Sequence, residues 1–200
     1  MSEATVASEL PPIVFLQGPR VVLRPVLRED VPFLMRYMND PEVLHFLGNN
    51  TPKMEADEEE WVAGLHKRKA KDIVFALVAE QKFIGVVGIH NMDAVHRTAI
   101  GGAFIGDKDY WSRGYGFEAE MLCLKFAFDT LNLRKVCADV IAFNERSAAA
   151  FMKCGGKEEG RKRKHIYRDG AYWDLLQFAV FREDWAGIWE AFTAKHALKK

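Results

Sequence analysis

The stretch Trp111-Ser112-Arg113-Gly114-Tyr115-Gly116-Phe117-Glu118-Ala119 decides the reading of this chain. Two glycines stand where a loop turns into a helix. The first turn of a helix carries unpaired N–H groups and the positive end of the helix dipole. Glycine lets an anion reach that backbone with no Cβ in the way. Gly114 and Gly116 therefore mark a phosphate site, or else they shape a tight turn and nothing more. The run 114–119 also fits the dinucleotide fingerprint G-x-G-x-x-G/A, with the acidic Asp139 about 20 positions on. Its surroundings do not suit a dinucleotide fold. The loop 107–113 is too long for a tight βα turn, antiparallel strands precede it, and too little chain follows for further βαβ units. The G-K-[ST] ending of a P-loop is absent.

Upstream of this stretch, the apolar runs 73–78 and 83–89 are separated only by 79–82 and predict an antiparallel hairpin. A third strand, 99–105, continues the meander. Gly101 and Gly102 inside it predict a bulge or the close approach of a ligand. Earlier still, 20–26 reads as a strand whose Pro25 belongs at an edge or a bulge. A helix starts near Asp30 and must stop by Asp40, because Pro41 disfavours helix in the residue before it. A second helix fits 57–71. Downstream, 114–130 is a long helix with Glu118, Lys125, Asp129 and Asn132 on one narrow polar stripe and an otherwise apolar, buried surface. The strand 135–141 follows it, so a right-handed crossover and parallel pairing with 99–105 are expected. Asn144 caps a helix over 145–153 that Gly155-Gly156 stop. Strands at 159–167 and 172–181 flank the turn Arg168-Asp169-Gly170, and a helix over 182–195 closes the chain. This order predicts an α+β domain on a mixed sheet.

Composition narrows the function classes. In 200 residues, 49% are apolar and 28% charged, which excludes a disordered chain and suits one domain. Lysines and arginines balance aspartates and glutamates at 28 each, so net charge gives no case for a nucleic-acid partner. No apolar run is long enough for a membrane span. The opening 1–18 has neither a cationic start nor a long apolar region. It reads as a tail, which makes a cytoplasmic location the expectation. Cys123, Cys137 and Cys154 are too few and too scattered for a disulfide framework or a zinc site, and no metal is expected.

Several further stretches fall into one pattern with the glycine loop. These are Val22-Leu23-Arg24-Pro25, Asn39-Asp40-Pro41-Glu42-Val43, Tyr110-Trp111, Glu118-Ala119, Asn144-Glu145-Arg146-Ser147 and Tyr167-Arg168-Asp169-Gly170-Ala171-Tyr172-Trp173-Asp174. Their order and spacing from about 20 to 185 resemble the GNAT superfamily of acyl-CoA-dependent N-acetyltransferases, and within it the ribosomal-protein alanine acetyltransferase (RimJ/RimL-type) branch. Trp111 stands where the family's loop Q/R-x-x-G-x-G/A has Gln or Arg. The resemblance implies one GNAT-like domain over 19–198: a mixed, mostly antiparallel seven-stranded sheet flanked by helices, with a V-shaped splay between the fourth and fifth strands (99–105 and 135–141). It implies acetyl-CoA as co-substrate, without a metal. The pantetheine arm is expected on the backbone near Phe104 and Ile105, and the pyrophosphate on Trp111, Ser112, Arg113, Gly114, Tyr115 and Gly116. Asn144 and Ser147 are expected to face the pantetheine and its thiol end. The acceptor is a small-molecule or peptide amine, such as a protein N-terminus, that attacks the thioester directly. A homodimer through the C-terminal strands and helix is compatible with this pattern.

Acetyl transfer needs a neutral amine, a polarised carbonyl and a proton for the leaving thiolate. Two positions depart from the family pattern. Ala99 stands where many relatives carry Glu, and Phe151 where a proton-donating Tyr is frequent. Ser147 is then the nearest plausible donor, or it only supports the helix start. These departures keep open a non-catalytic acyl-CoA-binding module, and the G-x-G-x-x-A match keeps open an NAD-binding oxidoreductase. His90, Asp93 and His96 read as a solvated loop in preference to a base or metal cluster. The basic run 161–165 reads as a solvated edge strand in preference to an RNA or acidic-acceptor site. The acidic run 55–60 suits a helix start, or meets a cationic amine.

Overall fold

The computed structural model describes residues 11–48 and 51–196. Its strands are β1 (Leu16–Gln17), β2 (Val21–Pro25), β3 (Ile73–Ala79), β4 (Lys82–Asp93), β5 (Thr98–Ile105), β6 (Lys135–Ile141), β7 (Lys157–Arg168) and β8 (Ala171–Phe181). Its α-helices are α1 (Val31–Tyr37), α2 (Pro41–His45), α3 (Glu55–Arg68), α4 (Tyr115–Lys125), α5 (Glu145–Lys153) and α6 (Arg182–His196). The strands form one sheet in the order β1-β2-β3-β4-β5-β6-β8-β7. The seven expected strands are β2 to β8. The eighth, β1, lies inside the stretch read as a tail and pairs Leu16 with Leu23 and Gln17 with Val22. A bond from the Gly18 N–H to the Val21 carbonyl closes the turn between β1 and β2. The tail residues 1–10, the loop residues 49–50 and the domain end 197–198 lie outside the described residues.

Strand periodicity sorts the apolar side chains onto two faces. Val21, Leu23, Phe75 and Leu77 meet Met121, Leu122 and Leu124 of α4 in the larger core, which α6 closes with Trp185 and Phe192. Ala76 and Phe83 point the other way, onto Leu34 and Tyr37 of α1, with Trp61 of α3 alongside. Asp169 and Gly170 both have positive φ, the backbone twist a two-residue hairpin needs between β7 and β8. The basic run 161–165 lies on β7, the outer strand, and is largely exposed, as its sequence suggested.

Two expectations are corrected. The register of β5 on β4 is continuous from Ile100 to Ile105, and the irregularity sits instead between His90 and Asp93. Of the two β5 glycines only Gly101 is tightly approached: a Cβ there would stand 2.9 Å from the Val136 side chain of β6, while Gly102 has open space around it. The second correction concerns Glu118, which is 1% exposed and not part of a solvated stripe. The start of β2 crosses the first turn of α4 there. The Glu118 carboxylate accepts from the backbone N–H groups of Arg20 (2.6 Å) and Val21 (3.0 Å) and from Arg20 Nε (2.9 Å). The long helix itself divides into α4 and a π-helical segment, Phe126–Thr130.

Replacing Glu118 strands two backbone donors, one of them buried. Glu118→Ala is expected to cost about 2–4 kcal/mol of unfolding free energy. Urea denaturation checks this. A loss below about 0.5 kcal/mol, the range of ordinary surface substitutions, would show that the clasp is dispensable.

Candidate active site

Parallel pairing of β5 with β6 covers only Thr98↔Lys135, Ala99↔Val136 and Ile100↔Cys137. Beyond these pairs the strands part, while β6 stays paired with β8 along its whole length, from Lys135↔Phe181 to Ile141↔Leu175. The gap is a cavity of about 690 Å³. Of the residues singled out in the sequence, Phe104, Ile105, Trp111, Ser112, Gly114, Tyr115, Gly116, Asn144 and Ser147 all line this one cavity. Arg113 is not on its wall. It is exposed, and its carbonyl accepts from Arg20 Nη1 at 3.0 Å.

The loop between β5 and α4 is held at several points. Asp107 accepts from the Asp109 N–H and pairs with Lys82 at 2.5 Å. The hydroxyls of Tyr110 and Tyr115 both donate to Glu80, at 3.3 and 3.0 Å. Trp111, in the position of the family's Gln or Arg, donates its indole N–H to the Ile105 carbonyl at 2.7 Å. The Arg146 guanidinium lies 4.2 Å from the Trp111 ring centre and 4.8 Å from that of Phe46, joining this loop to α5 and to the end of α2. Gly114 caps α4 with φ +85°, a left-handed conformation that side chains other than glycine resist. The first bond inside the helix runs from the Glu118 N–H to the Gly114 carbonyl. The N–H groups of Tyr115, Gly116 and Phe117 therefore have no carbonyl one turn back, and all three residues border the cavity.

The cavity has two chemically distinct ends. Val43, Phe46, Leu47, Ile166 and Leu175 form an apolar end between α2 and the β7–β8 hairpin. The other walls are α4 and α5. Asn144 caps α5 by accepting from the Ser147 N–H at 3.1 Å, so its side chain has a structural duty as well as a place on the wall. Phe151 is buried on the same wall, and Ala99 belongs to the large core. Sequence reasoning missed Glu120. It is 7% exposed, lines the cavity from α4, and sits with Oε2 3.9 Å from where a Gly101 Cβ would stand. Burial pushes its carboxyl up to about 7, against a smaller downward pull from the Ala103 backbone N–H. The available signal was a second acid, two residues after Glu118, on a helix otherwise apolar enough to be buried.

The remaining polar clusters stand elsewhere. Asp93 accepts from the N–H groups of Val95 and His96 and so shapes its own turn. Neither His90 nor His96 lines the cavity, and no metal-holding cluster occurs among the described residues. Asp57 accepts from the Met54 N–H and starts α3, as an acidic helix start requires. Among the described residues, no helix is long and apolar enough to cross a membrane.

Comparison with known proteins bears on this geometry. Residues 20–157 match the model of the acetyltransferase (GNAT) domain family. YdaF of Bacillus subtilis (strain 168), a candidate ribosomal N-acetyltransferase, is 30% identical over 111 residues, which are 56% of this chain and 60% of YdaF. The uncharacterized N-acetyltransferase YnaD of the same organism is 26% identical over 83% of this chain and 96% of its own length. Among solved structures, spermidine N-acetyltransferase from Vibrio cholerae in complex with CoA and spermine superimposes with a TM-score of 0.78. It is 21% identical, and the match covers 84% of this chain and 99% of that one.

The buried Glu120 carboxyl links stability to pH. Its proton is bound more tightly in the folded than in the unfolded chain. Stability is therefore lost as pH rises from the ordinary carboxylate range to about 7, and the loss levels off above that. The expected loss is roughly 3 kcal/mol. Unfolding midpoints of wild type and Glu120→Gln at pH 5 and pH 8 check this. The difference between the two pH values should shrink in the variant, and an equal difference in both proteins would refute the linkage.

Proposed function

This chain belongs to the GNAT acetyltransferase family and is an N-acetyltransferase that draws on a CoA thioester; we propose that acetyl-CoA is its donor and that its acceptor is a primary amine on a neutral or apolar body. The observation that carries this reading is the continuity of one cavity from the glycine-capped start of α4, through the β5/β6 splay, to the apolar end at Val43, Leu47, Ile166 and Leu175.

In this reading the pyrophosphate lies on the backbone N–H groups of 112–116, where the helix dipole and the missing side chains at Gly114 and Gly116 favour an anion. The pantetheine arm follows β5 near Phe104 and Ile105. The Ile105 carbonyl is held by Trp111 and the Ala103 N–H by Glu120, so polarising the thioester carbonyl falls to the other N–H groups on the open edge of β5. The amine enters from the apolar end and attacks the carbonyl carbon directly. Holding the two reactants together in a closed site supplies much of the rate. Asn144 fixes the start of α5, and Ser147 faces the thiol end.

The acceptor end argues against a polycation. Its wall is apolar, and Arg146, His45 and Arg168 border the adjoining surface pocket with only Glu42 and Asp169 as acids. A polyamine would meet acids there that already hold partners, Glu42 on Lys108 and Asp169 on His45. Nucleic acid is outside this reading as well, because the net charge is zero and the basic run is confined to one outer strand, where Arg161 pairs with Glu158 and Asp174 and Lys162 with Asp139. One domain over 19–198 and a cytoplasmic setting go with it. The free thiols of Cys123, Cys137 and Cys154 suit a reducing compartment.

The test is calorimetric titration with acetyl-CoA beside NADH, followed by thiol-release assays with amines. Acetyl-CoA should bind at micromolar Kd and NADH should not. Gly114→Glu should weaken acetyl-CoA by at least about tenfold, because it combines a strained φ with a negative charge at the anion site. Thiol release should be faster with a neutral peptide N-terminus or an apolar primary amine than with spermidine. NADH binding without acetyl-CoA binding would overturn the reading, and preference for spermidine would overturn its acceptor class.

A further inference from the structure

We infer that Glu120 is the proton donor to the departing CoA thiolate, because it is the buried acid of the cavity and faces the donor-side wall between α4 and α5. The inference rests on the acetyl-transfer reading and adds a residue to which the glycine loop and its neighbours gave no role.

Elimination among the described residues of the cavity supports it. Tyr110 and Tyr115 direct their hydroxyls away, to Glu80. Asp139 is exposed, accepts from Gln177 and pairs with Lys162. Lys153 is exposed. Ser147 offers only an alcohol, which holds its proton more tightly than a thiol does. Phe151 has no proton to give. Glu120 alone combines burial, access to the cavity and an acidic proton.

Position in the fold agrees. Oε2 of Glu120 stands 3.9 Å from where a Gly101 Cβ would be, beside the last register pair before β5 and β6 part. The same stretch of α4 meets the end of α5, where Cys154 Sγ lies 4.0 Å from the Phe117 carbonyl oxygen. The amine approaches from the opposite, apolar end, which leaves Glu120 on the side of the leaving group.

The groups that bear on Glu120 are few. Cys123 on its own helix and Cys154 at the end of α5 are both buried, and each thiol is pushed well up by burial and by Glu120 itself, so both stay neutral. From β5 it meets the Ala103 N–H. Asp139 of β6 is exposed, and Arg20 of the segment entering β2 is bound to Glu118. With no cation beside it among the described residues, the carboxyl keeps its proton up to about pH 7. In the step proposed, the amine nitrogen bonds to the thioester carbon and the C–S bond breaks. The sulfur takes the Glu120 proton. The ammonium proton passes to water, and solvent reprotonates Glu120 after CoA leaves.

The experiment compares wild type with Glu120→Gln and Glu120→Asp, measuring acetyl-CoA affinity by calorimetry and kcat across pH 5.5–9 with one saturating amine. Gln keeps the size and the oxygen facing Ala103 but has no acidic proton. The expected result is acetyl-CoA binding close to wild type, kcat lower by about a hundredfold or more in Glu120→Gln, and partial recovery in Glu120→Asp. The decline of wild-type kcat above about pH 7 should vanish in Glu120→Gln. A Glu120→Gln enzyme that binds acetyl-CoA and keeps kcat near wild type overturns the assignment. Loss of acetyl-CoA binding in that variant alone also overturns it, in favour of a cofactor-holding role. Failure of wild type to bind acetyl-CoA removes the donor and with it the reading on which the assignment rests.

Discussion

Everything specific to this site depends on one interruption of backbone pairing. β5 and β6 share three register pairs and then part, while β6 continues along β8 and β5 along β4. A sheet that opens in its middle leaves one edge of β5 with backbone groups that still require partners. Such an edge invites a ligand that can complete it, and a linear, amide-bearing arm is suited to do so. The close approach of Val136 at Gly101 marks the vertex of the V, and the cavity begins where that contact ends.

The opening is useful only if its far end is fixed, and the contacts of α4 see to that. Glu118 ties the first turn of α4 to the start of β2, on the other side of the sheet order from β5. Glu80, at the turn between β3 and β4, holds Tyr110 and Tyr115. Arg146 packs between Phe46 and Trp111, so the end of α2, the loop before α4 and α5 share one cation–π cluster. These restraints reach the loop from three separate parts of the chain. They hold the N–H groups of the helix start in place before any ligand arrives, which is what preorganisation requires.

Glu118 and Glu120 show how environment divides two identical side chains. Both are buried on α4, two residues apart. Glu118 receives two backbone N–H groups and a guanidinium, so its oxygens are taken up in joining α4 to β2. Glu120 has the Ala103 N–H and, among the described residues, no cation, and burial moves it towards the neutral acid. One carboxyl serves the architecture, and the other is left available for proton chemistry.

The element order, the turn at Asp169-Gly170, the capping of α5 by Asn144 and the glycine-marked start of α4 at Gly114 and Gly116 were all legible in the sequence. Each of these is written in local periodicity or in a residue whose backbone preference is strong. The strand β1 was not legible, because two residues carry no period. Glu118 was misread as solvated, because its partners, Arg20 and Val21, lie about a hundred positions away in the chain. Glu120 escaped notice for the same reason: nothing within one helical turn says whether a glutamate will meet water, a guanidinium or a dry wall. Only long-range packing settled which carboxyl is paired, where the sheet opens, and that one end of the cavity is apolar, since each depends on which distant segments meet and how much water they exclude.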